Sequence, residues 1–182
     1  MQIRETGLPG LRILNPKVHK DHRGFFLESF REEFFQNLAE PVHFVQDNHA
    51  RSEEAGVLRG LHYQAPPAAQ TKLIWVGRGA AFDVVVDLRR SSPTYGKSYG
   101  LVLTSDNFLR VLIPKGFAHG YMTLEPGTEF HYKVDHYYSP ENEGGLRWND
   151  PALQIDWPDR TPIMTERDNN WPLLADLPAI FG

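Results

Sequence analysis

The stretch from Val42 to Val134 most constrains the fold, because it is a series of short segments of β-type composition. Gly, Pro, Asn or Asp stands at nearly every junction, at intervals of about 8–12 residues, which is the spacing of an all-β sandwich or barrel. No long helical pattern interrupts the series, which argues against a parallel sheet built from βαβ units. We therefore predict an antiparallel jelly roll. The segments are HFVQDN, LRGLHYQ, KLIWV, AFDVVVDL, SYGLVLT, FLRVLIP, AHGYMTL and EFHYKV.

The region before this series predicts a strand, a hairpin and one helix. Residues 11–18 suit a short strand interrupted at Pro16, and turn residues at 21–24 lead into a second strand at 25–27. Ser29 and Glu32 have the spacing of a capping box, so the helix is expected to begin at Ser29. Four apolar residues then recur on one helical face before a proline: Phe30, Phe34, Phe35 and Leu38, followed by Pro41.

The length of 182 residues fits one domain over 1–182, with a tail after Thr161 of short helix and coil packed on the outside. No apolar run approaches about 18 residues, so no membrane span is predicted. The N-terminus lacks a signal-peptide pattern, and the absence of cysteine fits a cytoplasmic enzyme without disulfides. A net charge of −4 argues against nucleic-acid binding, although a local cluster of Arg and Lys can still hold a small anion.

Residues 56–88 contain five reactive side chains in a short span: Arg59, His62, Gln64, Lys72 and Asp83. An imidazole titrates near neutral pH, so His62 is either a candidate general base or a satisfied strand histidine. Lys72 shares the strand parity of apolar positions 74 and 76, and a lysine on that side is costly unless it meets an anion or a developing one.

Tyr132 alternates with Phe130 and Val134, so its phenol is expected to point into the barrel. There it is either a core tyrosine with one hydrogen bond or a proton donor. Arg23 and Arg59 adjoin glycines and suit diphosphate oxygens, although either could be a solvated surface residue. Arg59 and His62 differ by three positions, so a bulge or strand end must intervene if both face one pocket.

Ordered segments over nearly the whole chain are similar to the dTDP-4-dehydrorhamnose 3,5-epimerases, nucleotide-sugar enzymes on a cupin-type jelly roll. The segments are DHRGFFLESF, FVQDNHARS, GVLRGLHYQ, TKLIWVGRGAAFDVVVDLRRSSPTYG, IPKGFAHGY and WNDPALQIDWP. The resemblance implies an all-β, cupin-type jelly-roll sandwich or barrel with one short N-terminal helix and a small helical and coil tail. It also implies a homodimer whose subunits exchange N-terminal strands, which the Phe-rich hairpin would permit.

The resemblance also assigns roles to individual positions of this chain. It implies four catalytic residues: His62 as the base, Asp168 as its carboxylate partner, Tyr132 as the general acid and Lys72 as the enolate-stabilising cation. It implies substrate and nucleotide contacts for Arg23, Glu28, Gln46, Asp47, Asn48, Arg59, His119, Tyr138, Glu143 and Arg167, the last of these standing where a lysine is usual.

A metal-binding cupin carries His-x-His in its first motif, an acid a few residues later and a histidine in its second motif. Here His62 and His119 keep their places, but Gln64 and Lys72 occupy the other two. Lysine offers hydrogen-bond donors only, so these side chains make a poor cation cage. We therefore expect no catalytic metal and no other cofactor.

The implied substrate is dTDP-4-dehydro-6-deoxy-D-glucose, whose C4 ketone acidifies the hydrogens on C3 and C5. A base removes such a proton, a cation holds the enolate, and an acid returns a proton on the opposite face. Two alternatives stay open. One is a relative that epimerises only C3 or only C5, or isomerises the ketone; the other is a non-catalytic sugar-binding cupin. The presence of a base, a cation, a phenol and a carboxylate together argues against the binding module.

Overall fold

The computed structural model describes all 182 residues, Met1–Gly182, and consists mainly of antiparallel strands. The strands are β1 (Gln2–Glu5), β2 (Arg12–Asn15), β3 (Val18–Asp21), β4 (Gly24–Leu27), β5 (Gln46–Ser52), β6 (Leu58–Gln64), β7 (Lys72–Arg78), β8 (Ala80–Asp87), β9 (Ser98–Thr104), β10 (Arg110–Ile113), β11 (Phe117–Thr123), β12 (Thr128–Val134) and β13 (Glu143–Gly145). A six-stranded sheet has the order β1-β2-β10-β7-β12-β5, and a five-stranded sheet has the order β13-β6-β11-β8-β9. Strands β3 and β4 form the predicted hairpin apart from both sheets.

The main core lies between the two sheets. Ile74 and Val111 of the six-stranded sheet cluster with Val85 and Phe117 of the five-stranded sheet, and all four are almost fully buried. Burial of one such side chain contributes about 1.5–3 kcal/mol. The period-2 alternation of the sequence therefore supplies both inner faces, and the predicted all-β, cupin-type jelly roll is confirmed.

The outer face of each sheet is covered by a different part of the chain. Leu14, Leu73 and Leu112 on the six-stranded sheet pack against Phe35 of helix α1 (Glu32–Gln36). The five-stranded sheet is covered by tail residues, including Leu177 and Phe181. The tail contains helix α2 (Glu166–Asn169) and a 3₁₀ turn at Leu174–Asp176, so the predicted helix and coil on the outside are confirmed. Further 3₁₀ turns lie at Pro140–Asn142 and Pro151–Leu153.

The first helix begins later than predicted, and the predicted capping box is wrong. Its N-cap is Arg31, which makes no side-chain cap hydrogen bond. The capping box does not form because Glu32 pairs with the imidazole of His43 instead of reaching back to Ser29. The apolar face is correct, since Phe35 is fully buried and the other predicted residues pack around it. None of the helices is long and apolar enough to span a membrane.

The segment HFVQDN is extended over only part of its predicted length. Strand β5 begins at Gln46, and the residues before it cross to the helix side. Val42 and Phe44 join the cluster around Phe35, which holds this segment out of the sheet. Burial against the helix therefore prevails over strand propensity here.

Candidate active site

A cavity of about 500 Å³ opens between the two sheets, and all four predicted catalytic residues line it. Strand β6 supplies Arg59 and His62, while β7 and β12 supply Lys72 and Tyr132 from the opposite sheet. The segment around α2 closes one side with Asp168. Other lining residues are Ala50, Val57, Leu58, His119, Tyr121, Phe130, Glu143, Ile163, Met164, Thr165 and Arg167.

Arg59 and His62 face the same cavity because β6 contains a bulge. His62 pairs with His119 of β11, and Arg59 pairs with Tyr121. The two pairs are three residues apart along β6 but only two residues apart along β11, so β6 has one extra residue. Gly60 lies at this bulge with φ +128°, and a Cβ there would be 2.6 Å from Gly120 Cα. Only glycine allows the two backbones to approach this closely. Of the two alternatives that the spacing allowed, a bulge or a strand end, the structure has the bulge.

His62 and Asp168 form a hydrogen-bonded pair, with 2.8 Å between Nε2 and Oδ1. Burial alone would raise the pKa of Asp168, but hydrogen bonds from His62 and the Gly60 N–H, together with the charges of His62 and Arg167, lower it below its usual value. The carboxylate therefore stays charged and favours a proton on Nε2, which leaves Nδ1 as the basic nitrogen. The distance of 106 residues in sequence could not be bridged from the pattern alone.

Lys72 and Tyr132 lie side by side in the opposite wall. The register pairs Tyr132 with Ile74 and Val134 with Lys72, so both functional side chains share the inner face, as their strand phase predicts. Desolvation lowers the pKa of Lys72 to about 8, against the opposing charges of Glu143 and Asp83. Burial raises the pKa of Tyr132, and the charge of Arg59 only partly offsets this, so the phenol keeps its proton at neutral pH.

His119 also lines the cavity, and it is held by Asp83 with 2.7 Å between Nε2 and Oδ2. Asp83 is completely buried, and burial raises its pKa, although the charge and hydrogen bond of His119 and the charge of Lys72 act against this shift. Its second oxygen, Oδ1, has no hydrogen-bond partner. The sequence flagged Asp83 among the reactive residues but assigned it no role; its signal was a carboxylate within the apolar strand AFDVVVDL.

A second cavity of about 310 Å³ adjoins the first and shares His62, Lys72, Tyr132 and Glu143 with it. Predicted substrate contacts Gln46 and Asn48 line it from β5, since their alternation turns them inward. Tyr63, Gln64, Gln70 and Tyr138 complete the lining. Because they share four lining residues, the two cavities are parts of one site.

Glu143 organises the mouth of this second cavity. Its Oε2 accepts hydrogen bonds from the Tyr138 hydroxyl at 2.9 Å and from Arg167 Nη1 at 2.7 Å. The backbone N–H of Tyr138 in turn donates to Gln46 Oε1 at 3.1 Å. Arg167 thus makes a directed contact with Glu143 from the position where a lysine is usual.

Three predicted contacts lie outside both cavities of this chain. Asp47 points to the other face of β5, where Lys133 Nζ donates to it at 2.7 Å. Arg23 sits exposed on the β3–β4 hairpin in an ion pair with Asp21, and Glu28 just beyond the hairpin pairs with Arg31. Asp47 lies outside the cavities because its neighbours in β5, Gln46 and Asn48, face inward, so alternation turns Asp47 to the outer face.

Two contributors to the site were not predicted from sequence. Trp171 packs edge-on against the His62 ring at 6.2 Å between ring centroids, three residues after Asp168. The Thr165 side chain accepts a hydrogen bond from the Asp168 N–H at 3.2 Å and so caps helix α2. The Thr-x-x-Asp spacing in TERD was the available signal for that cap. Neither could be assigned to the cavity without the tertiary position of the tail.

The donor set of the cavity does not resemble a metal centre. His62 and His119 each keep Nδ1 as a possible ligand atom, but Lys72, at the position of the acid in a metal-binding cupin, provides no lone pair while it is charged. Gln64 accepts a hydrogen bond from the Ser139 N–H at 2.9 Å. The absence of a catalytic metal remains a prediction.

Comparison with known proteins identifies the family. Residues 5–176 match the family model described as dTDP-4-dehydrorhamnose 3,5-epimerase. The enzyme of that name from Escherichia coli is 47% identical over 179 residues, covering 97% of this chain and 96% of its own. A Bacillus anthracis structure of the same enzyme with TDP and pyrophosphate bound has a TM-score of 0.91 at 47% identity, covering 94% and 98% of the two chains.

A Legionella pneumophila dTDP-6-deoxy-D-glucose-3,5-epimerase, solved with dTDP-4-keto-L-rhamnose, superposes with a TM-score of 0.93. It is 43% identical and covers 98% of this chain and 95% of its own. The sequence matches and the structural matches therefore indicate the same family, and both extend over nearly the whole chain. With its paired imidazole and carboxylate facing a lysine and a phenol across the sandwich, the chain belongs to the dTDP-4-dehydrorhamnose 3,5-epimerase family.

Proposed function

We propose that this protein converts dTDP-4-dehydro-6-deoxy-D-glucose to dTDP-4-dehydro-L-rhamnose by proton abstraction and return at C3 and C5. One observation carries the proposal: the base candidate His62 stands on one sheet, and Lys72 and Tyr132 stand on the other, across one cavity. Inversion at carbon requires removal of a proton from one face of the sugar and delivery to the opposite face. Groups on facing sheets meet this requirement.

His62 is the proposed base. Asp168 Oδ1 accepts a hydrogen bond from the protonated Nε2, so Nδ1 carries the lone pair that removes a proton from C3 or C5. As the imidazole becomes positively charged, the ionised carboxylate stabilises it. Trp171 limits the rotation of the ring, which keeps the lone pair directed.

Lys72 is the proposed counter-ion of the enolate. Once a proton leaves C3 or C5, negative charge develops on the C4 oxygen, and a cation beside it lowers the barrier. With a pKa of about 8, Lys72 is mostly charged at neutral pH. The weakly solvated site strengthens its interaction with the developing charge.

Tyr132 is the proposed acid. Its raised pKa keeps the phenol protonated until it donates to the carbon on the far side of the enolate. It packs against the inner core cluster, so the position of the ring is well defined. No redox step occurs, and the proposal requires neither a nicotinamide nor a metal.

The second cavity is the proposed nucleotide end, with Gln46, Asn48, Tyr138 and Glu143 as contacts. Arg59, His119 and Arg167 line the first cavity and are proposed as further substrate and nucleotide contacts. We predict that Arg59→Ala weakens dTDP binding by about 1.5–3 kcal/mol, the loss expected for one charge-assisted hydrogen bond. Calorimetric titration with dTDP measures it, and unchanged affinity would remove Arg59 from the site.

We further propose a homodimer in which the N-terminal strands are exchanged. Arg23, Glu28 and Asp47 lie outside the cavities of their own chain, and Phe25 and Phe26 on the hairpin are 61% and 72% exposed. Such apolar exposure favours contact with a second subunit. If the hairpin completes the partner's site, mixing Arg23→Ala with His62→Ala protein should restore activity in hybrids, because one site in each hybrid has both residues. No recovery in verified hybrids would refute the exchange.

The test of the function is proton NMR of the substrate in D₂O, scoring exchange and inversion at C3 and C5 separately. Exchange and inversion at both carbons support the double epimerase. Exchange at only one carbon would identify a single-site epimerase, and binding without exchange would identify a sugar-binding cupin. Exhaustive chelation should leave the rate unchanged. Loss of activity that one divalent metal restores would contradict the proposed chemistry.

Two broader predictions remain with the proposal. The chain is proposed to act as one domain over 1–182, which a single cooperative unfolding transition would support. A cytoplasmic location stays a prediction from the sequence, and cell fractionation would test it.

A further inference from the structure

We propose a second, non-catalytic site that binds a transition-metal ion through His49, Glu129 and His131. These residues lie on the outer face of the six-stranded sheet, because their neighbours Asn48, Tyr132 and Phe130 face inward. The site is therefore separated from the catalytic cavity by the thickness of the sheet. Its proposed ligands are two imidazoles and one carboxylate.

The sheet register brings the three ligands together. His49 and His131 are direct partners in β5 and β12, and their rings lie 4.1 Å apart between centroids with an interplanar angle of 20°. Glu129 precedes His131 by two residues and so shares its face. Backbone pairing therefore places all three residues on one patch of the outer face before any ion binds.

The spacing of the donor atoms suits a single ion. One ligand atom from each of the three residues lies within 4.8 Å of the others. His49 Nε2 and Glu129 Oε2 are 3.2 Å apart, close to the separation of about 3.3 Å expected for two ligands around a tetrahedral zinc ion. The side chain of His49 is 55% exposed, so its ring can turn to complete the set.

A row of stacked side chains supports the inner ligand. Trp75 of β7 lies parallel to His131, with 5.5 Å between centroids and an angle of 8°, and Arg110 of β10 lies over the other side of the indole at 4.4 Å. His131 is thus held between an indole and the second imidazole.

The ligand types define the chemistry. Two neutral imidazoles and one carboxylate suit Zn²⁺, Ni²⁺ or Cu²⁺ rather than Mg²⁺ or Ca²⁺, which prefer oxygen ligands alone. Solvent would fill the remaining coordination positions, since His49 is exposed. The ion would link edge strand β5 to β12 and so would stabilise the strand that carries Gln46 and Asn48 on its other face.

The matched control is the exposed pair His43 and Glu32, in which a single imidazole contacts a carboxylate with no second histidine beside it. Tag-free, chelator-treated protein is titrated with Cu²⁺ and Zn²⁺ by calorimetry, and the Cu²⁺ form is examined by electron paramagnetic resonance. Wild type and His43→Gln should bind one ion with the signature of two nitrogen ligands. His49→Gln, His131→Gln and Glu129→Gln should each lose at least about tenfold in affinity.

Saturating Zn²⁺ should raise the melting temperature of wild type but not of the His49→Gln/His131→Gln double variant. This double variant should retain epimerisation, so failure of the metal site is distinguishable from failure of the proposed function. Unchanged binding in the double variant, or a spectrum with only one nitrogen ligand, would overturn the proposal.

Discussion

Two histidine–aspartate pairs lie on adjacent strands, and their settings give them different chemistry. His62 and His119 are register partners in β6 and β11. Each contacts an aspartate through Nε2, at 2.8 Å to Asp168 and at 2.7 Å to Asp83. Judged by residue types and distances alone, either histidine could be the candidate base.

The carboxylates distinguish them. Asp168 comes from the tail and receives further stabilisation from the Gly60 N–H and the charge of Arg167, and its pKa is lowered. Asp83 comes from the middle of β8, has one oxygen without a partner, and burial raises its pKa. The difference supports the proposal that the charged partner prepares His62 for base catalysis, while Asp83 contributes to the field around Lys72.

The largest effect is expected at the base itself. His62→Ala should reduce proton exchange at both C3 and C5 by about 10⁴-fold, because one imidazole serves both carbons. His119→Ala should chiefly weaken dTDP binding and leave exchange measurable at saturating substrate. Deuterium incorporation followed by NMR makes the comparison. Full exchange at either carbon in His62→Ala would show that another residue is the base.

The next effect separates abstraction from delivery. Tyr132→Phe should lower epimer formation by about 10³-fold. Deuterium should still enter beside the ketone, since His62 can return a solvent-exchanged proton to the original face. The ring remains, so packing against Phe130 is retained. Epimerisation at the wild-type rate would make the phenol a core residue only, with the proton delivered from elsewhere.

The third comparison tests the two carboxylates directly. Asp168→Asn should lower the rate by about 10²-fold with nearly unchanged dTDP affinity, because it removes the charge that orients His62 and stabilises its imidazolium. Asp83→Asn, the matched change in the other pair, should keep most of the rate near pH 7. Steady-state kinetics and calorimetry with dTDP measure both. A large loss of nucleotide binding in Asp168→Asn would make Asp168 a ligand contact instead.

The smallest effect concerns pH. Lys72 is charged below its pKa of about 8, so the rate should fall as pH rises through that value. The charge of Asp83 raises the pKa of Lys72, so Asp83→Asn should move this alkaline limb to lower pH, while Asp168→Asn should leave it in place. The pH profile of the rate at saturating substrate measures the limb. An unmoved limb in Asp83→Asn would separate Asp83 from the field of Lys72.

Much of the fold was predictable because strand alternation is a local property. The inward phase of Lys72 and Tyr132 followed from their apolar neighbours, and the bulge between Arg59 and His62 followed from their odd spacing. The capping box failed because Glu32 found a partner, His43, that no local rule could supply. For the same reason no role could be assigned to Asp83 from the sequence, because its contact with His119 lies across a strand pair.

Residue type and spacing were enough to predict the strands, the apolar face around Phe35 and the family resemblance, because these are features that the chain carries locally. Which residues meet became known from the folded chain alone: Asp168 with His62, Asp83 with His119, and His49 with His131 on the outer face. The physical reason is that such pairs depend on sheet register and on where the tail packs, and both are settled by burial of the whole core rather than by any one segment.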